Sequence, residues 1–418
     1  MAIFRARRYL AAGLPSALVL SAVTLASAST ATAETSLPGA DAMAYAVEDH
    51  SYPEAERIKA EKGITLKSGD GQLLLAACDG TQDIMVNSRA GLKDYCFDIK
   101  SRPALLSLAL PDTYGIWTEA YPVKSTIEAN GTKTVIDAPA HDFTGYGEAT
   151  QNGVRSTLIE LRVTGENTNP PAPSGDNPQA YLGKVRIGDT RSCTAALVDP
   201  RWVVTAKSCF ADKPDESTTV AAGAPKEKTT VTLGRSDLAT SGGHTANVVE
   251  ILPHADRDLL LARLAAPVTD ITPLKRAGST PAAGTTLTAA GFGRTTTEWV
   301  PDKRHTGSFT VTASDDATLS LTGNGDDVIC KGDAGGPLLN AAGELVGVNS
   351  RSWQGGCLGT DPAETRTGAV AARTDNVGQW IDRTIAPRNG GQVSLLAGGA
   401  GAMWSQSGDL GYGEYGSQ

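Results

Sequence analysis

The sequence predicts an all-β protein of two folded units, and three observations carry that expectation. Its 418 residues exceed the length at which a single hydrophobic core keeps growing. The 46 glycines and 22 prolines call for many turns. Between those turns the chain runs in short segments of alternating character, the pattern of half-buried strands. Hydrophobic residues make up 40% and charged residues 20%, an ordinary globular balance. A formal charge of -9 leaves no basic footprint for phosphate, so nucleic acid is not an expected partner.

Taken in order, residues 1–33 carry Arg5, Arg7 and Arg8, an apolar stretch from Leu14 to Leu25, and Ala31-Thr32-Ala33, the small-residue pattern of a cleaved export signal. The mature chain is expected to begin at Glu34 and to be secreted. No later segment approaches the ~18 uninterrupted apolar residues of a spanning helix, so no membrane insertion is expected after signal removal. Residues 34–165 read as a small β domain of unknown role. Its strand runs include Ile64 to Lys67, Ile84 to Val86, Ala104 to Leu110, Lys133 to Ile136 and Thr157 to Val163, separated by Gly69-Asp70-Gly71, Asp79-Gly80, Asn130-Gly131 and Asn152-Gly153. Ala55 to Lys62 is expected as a short entrance helix, because its alanines and charges are good helix formers. His50 and His141 stand isolated and read as ordinary surface or satisfied side chains. Residues 166–178, with four prolines among small polar residues, have the composition of a linker. A second domain follows at 179–386, and a Gly-rich tail of low complexity at 387–418.

Six cysteines in an exported chain argue for three disulfides. With no C-x-x-C pair and only five histidines, neither a zinc site nor any other metal or cofactor is expected. Three segments of the second domain carry chemistry. Cys193 to Cys209 ends Thr205-Ala206-Lys207-Ser208-Cys209; Asp258-Leu259-Leu260-Leu261 follows; and Cys330-Lys331-Gly332-Asp333-Ala334-Gly335-Gly336-Pro337 comes last.

In content and order these segments resemble the trypsin-like serine proteases. The family's catalytic His falls at Ser208, its buried Asp at Asp258 and its nucleophilic Ser at Ala334, so two of the three catalytic positions are replaced. The resemblance implies two packed six-stranded antiparallel β-barrels with a cleft between them, and a C-terminal helix over Thr374 to Ile385. It implies disulfides Cys193–Cys209 and Cys330–Cys357, which leaves Cys78 to pair with Cys96. Backbone N–H groups of Gly332 and Ala334 are implied as the oxyanion hole. In the family the residue at Asp333 is held by a new N-terminus beginning Ile-Val-Gly-Gly; this chain instead runs Ala180-Tyr181-Leu182-Gly183 into the first barrel, which leaves the partner of Asp333 open. Val328 takes the place of the pocket Asp that selects Lys or Arg, implying an apolar floor. The pocket's edge strand is Ser352-Trp353-Gln354 when counted back from Cys357, or Asn349-Ser350-Arg351 when counted on from Ala334.

A serine protease needs a hydroxyl nucleophile, an imidazole that shuttles its proton, and a carboxylate that orients the imidazole. Ala334 has no nucleophilic atom and Ser208 is no base near neutrality. The expected function is therefore a secreted, inactive homologue that binds a peptide or protein ligand through the retained cleft. Two other readings stand beside it: an endopeptidase using relocated groups, such as a Lys207–Ser208 dyad or the nearby His254, and an inert structural extracellular protein.

Overall fold

The computed structural model describes residues 43–150, 153–165 and 177–386. The expected export signal, most of the linker and the Gly-rich tail lie outside the described residues. The described residues belong to one compact unit.

Between Thr65 and Val163 the chain forms a nine-stranded antiparallel sheet. The helix Ala55–Lys62 precedes it and ends at Gly63, whose φ of 74° is the left-handed conformation that stops a helix. Asn130 and Gly131, both with positive φ, make the two-residue hairpin between Val123–Ala129 and Thr132–Ala138. One strand runs further than its sequence run suggests. Ala104–Thr118 continues through Pro111 and pairs with Ser156–Val163 in its first half and with Ile84–Ser88 in its second. Pro111 has no N–H to give a ladder and Asp112 turns to φ 53°, so the strand changes partners there. The sheet packs on its own core, which includes Leu66, Phe97, Leu108 and Leu161.

Residues 182–264 form a closed six-stranded antiparallel barrel, running in space through Leu182–Ile187, Arg191–Asp199, Trp202–Thr205, Leu260–Leu264, His244–Pro253 and Thr229–Leu233. A second ring of six uses Thr286–Gly291, His305–Ser314, Thr318–Gly323, Ala369–Arg373, Leu345–Ser352 and Pro337–Leu339. Alternating apolar residues of both rings meet in one continuous core. The final helix is Gly378–Ile385, shorter than the expected 374–385, because Thr374 N–H donates to the Val346 carbonyl and Arg373 pairs with Asp375 in a turn ahead of it. Disulfides join Cys78 to Cys96, Cys193 to Cys209 and Cys330 to Cys357. Ala46 and Val47 belong to the barrel core, far along the chain from the strands they touch.

Candidate functional site

Strand Trp202–Thr205 pairs with Leu260–Leu264, matching Thr205 with Leu260, and this register brings residue 208 against residue 258. Ser208 is fully buried. Its N–H donates to Asp258 Oδ1 at 2.6 Å and its hydroxyl donates to Oδ2 at 2.9 Å. A second hydroxyl, that of Ser350, donates to the same Oδ2 at 2.6 Å. The carboxylate that would orient an imidazole is thus satisfied by two serines and a backbone amide.

Lys207 turns the other way. Its ammonium donates to the carbonyls of His254 and Ala255 at 3.2 and 3.5 Å, so its protons are engaged away from Ser208. His254 packs edge-on against Trp380, and its Nδ1 accepts from the Asp256 N–H. Neither residue is placed to activate the Ser208 hydroxyl.

The segment 330–336 is pinned at Cys330 by its disulfide to Cys357. Gly332 has φ 98°, a conformation open to glycine and strained for other residues, and it turns its own N–H and that of Ala334 to one side. Both donate to a single acceptor, the carbonyl oxygen of Ala46, at 2.7 and 3.0 Å. These are the two N–H groups that the family resemblance assigns to an oxyanion hole, and here they converge on one carbonyl oxygen. Asp333 is buried and accepts from the amides of Gly293 and Cys330 at 2.9 and 3.0 Å. Its titratable partner is His305, with Nε2 3.2 Å from Oδ1. Burial works against the charge on His305, but the Asp333 carboxylate outweighs it and holds the imidazole above its ordinary pKa. A histidine does here what the sequence reading had left without a residue.

The pocket edge lies elsewhere than counting back from Cys357 suggests. Ala44 pairs with Ser352 and Tyr45 with Arg351, and Ala46 N–H donates to the Ser350 carbonyl at 2.9 Å. The edge is therefore Ser350–Ser352, two residues before Ser352-Trp353-Gln354 and one after the start given by counting on from Ala334. The reason is the turn that follows: Trp353 N–H bonds the Gly368 carbonyl, Gln354 adopts φ 60°, and extra residues are absorbed before Cys357. Trp353 stacks under the Arg366 guanidinium at 3.5 Å. Val328 lines a cavity with His305, Phe309, Ile329 and Asn349, a set that contains none of Ser352, Trp353 and Gln354.

His50, which reads from the sequence as ordinary, is buried. Its Nε2 lies 3.1 Å from the Ser192 hydroxyl and its Nδ1 3.2 Å from the Asp189 carbonyl. Burial pushes its imidazole down to about 4, so it is neutral at pH 7. His50 and Ser192 are each 1% exposed, which closes the hydroxyl to an incoming carbonyl. Sequence reasoning missed Ala46, His305 and Ser192. Only Ser350 had a signal, in the count onward from Ala334.

A family model described as Trypsin matches residues 171–381. Among curated relatives, Serine protease 1 of Canis lupus familiaris is 28% identical over 224 residues, covering 46% of this chain and 80% of its own. Kallikrein-11 of Homo sapiens is 26% identical over 46% of this chain and 71% of its own. A solved structure titled neuropsin, a serine protease expressed in the limbic system of mouse brain, covers 50% of this chain and 95% of its own at 20% identity and a TM-score of 0.41.

Proposed function

The chain belongs to the trypsin family, and from that premise we propose a secreted member that holds an extended peptide in its cleft without hydrolysing it. One observation carries the reading: a methyl group at Ala334 beside a hydroxyl at Ser208 whose hydrogen is given to Asp258. Acyl transfer needs a nucleophilic atom at the carbonyl and a base that takes its proton near neutrality. Ala334 offers no such atom, and a serine hydroxyl is no base in that range. In a serine protease, loss of either partner alone lowers turnover by about 10⁶-fold. Binding stands on other groups. The N–H donors of Gly332 and Ala334 belong to the backbone, so replacing the side chains leaves them intact. Three disulfides, which persist in oxidising compartments, support secretion.

A second reading has one observation in its favour, the 3.1 Å contact between His50 and Ser192. It would make the chain a hydrolase with relocated groups, and the burial of both side chains opposes it. Wild-type protein incubated with a peptide panel and a fluorophosphonate should give neither turnover nor label. Cleavage blocked by a serine-directed inhibitor would contradict the proposal, and loss of that labelling in Ser192→Ala would assign it to the second reading.

A further inference from the structure

The geometry points to the chain's own residues 44–49 as the peptide this cleft holds, with the Ala46–Val47 bond presented where a substrate would be cut. The inference rests on the reading that the cleft binds without hydrolysing, and it names the ligand.

The segment is hydrogen-bonded on both sides of Ala334. Before it, Ala44 and Tyr45 pair antiparallel with Ser352 and Arg351, and Ala46 N–H donates to the Ser350 carbonyl. At the site itself, the Ala46 carbonyl takes both N–H groups of Gly332 and Ala334. Beyond it, Glu48 and Ser192 exchange N–H···O bonds of 3.0 and 2.9 Å. The first partner strand belongs to one barrel and the second to the other, so the segment spans the cleft as an added strand.

Its side chains have dedicated partners. The buried Glu48 carboxylate meets the buried Arg294 guanidinium through Nε at 2.6 Å and Nη2 at 2.7 Å, a bidentate pair. Asp49 pairs with Lys331, the residue before Gly332, at 2.7 Å. Burial would raise the Asp49 carboxyl, but Lys331 overrides it and holds it at about 2. His50 caps the end on Ser192. The cations that border the cleft thus match two carboxylates of this chain, one residue apart. As part of the same chain, the strand also competes intramolecularly with any free peptide. Ala46 and Val47 are 0% and 5% exposed, so no peptide from solution has room until the segment leaves.

A full-length chain carrying Ser208→His and Ala334→Ser tests the register. The introduced hydroxyl would add to the Ala46 carbonyl carbon as its proton passes to the imidazole at 208, oriented by Asp258, while the two N–H groups hold the oxyanion. Breaking the Ala46–Val47 C–N bond returns that proton to the Val47 nitrogen, and water then hydrolyses the Ala46 ester. The expected product is a new N-terminus at Val47, formed at a first-order rate independent of protein concentration, with each single variant inert. Amide exchange on the wild type supplies a test that needs no restored chemistry. Exchange at Ala46, Glu48, Gly332 and Ala334 should be slowed together, roughly 10³-fold or more, and Glu48→Ala should lower that protection at all four by at least about tenfold. A double variant that cuts added peptides while its own Ala46–Val47 bond survives would overturn the self-ligand and leave the non-hydrolysing wild type standing. Should the double variant cut nothing, wild-type exchange decides: protection at all four amides upholds the inference, and unprotected exchange at Ala46 and Glu48 overturns it. Peptide hydrolysis by the wild type would instead overturn the reading beneath.

Discussion

Asp258 accepts three hydrogen bonds although no imidazole faces it. A half-buried carboxylate that loses its donors is penalised, so the serine at 208, which donates to Asp258, satisfies the carboxylate while supplying no base. His50 shows the opposite economy, a buried imidazole held neutral. Burial pushes it to about 4 from 6.5, with Lys184 and Arg186 adding to the shift and Glu48 and the Asp189 carbonyl opposing it. The unfolded chain therefore binds the extra proton between those two values. The contribution of His50 should fall as pH drops from 6.5 toward 4, by about 3 kcal/mol in total, and change no further below, where carboxyls held low, such as Asp49, carry the remaining acid loss. His305 acts with the other sign: its pKa is raised, so its contribution is present below 6.5 and is lost as pH rises through the folded value. Urea unfolding across this range checks the acid side, and His50→Gln should flatten it. A wild-type acid slope unchanged in His50→Gln would contradict the assignment. Ser208, Asp258 and Ala334 were legible in the sequence because each sits at a fixed offset from a cysteine or within a tight motif. Ala46 and His305 were not, since a backbone carbonyl and a lone imidazole carry no local pattern and their partners lie far along the chain.

At the scale of elements, the loop 330–336 and the turn after Ser352 are held together by Cys330–Cys357, whose sequence separation is 27. Closing a loop of that length removes about 3–4 kcal/mol of unfolded-state entropy. A Cys330→Ala, Cys357→Ala chain should lose stability of that order in urea unfolding. A loss below ~1 kcal/mol would mean that the Gly332 turn holds without the clasp. Strand runs and the entrance helix were legible from alternation and propensity, and Asn130-Gly131 was legible as a turn. Two features escaped. Pro111 reads as a stop, yet the strand crosses it by exchanging partners at Asp112. Counting from Cys357 misplaces the edge strand, because offsets survive only where no residues are added, and the turn at Gln354 absorbs extra ones.

Across the whole molecule, the two barrels were legible from three motifs in order, while what fills the cleft between them was not. A strand that binds through its backbone needs only extended conformation and small residues at the tight positions, and Ala44-Tyr45-Ala46-Val47 looks like any other short run. In the proposal made above, the trypsin-family scaffold is closed by its own strand, which stays bound and uncut. The mass and N-terminal sequence of the secreted wild-type protein test this most directly. The account predicts a chain beginning at Glu34, with residues 44–49 still joined through the Ala46–Val47 bond. A chain beginning at Val47 would contradict it, because the cleft would then be cutting the strand it holds.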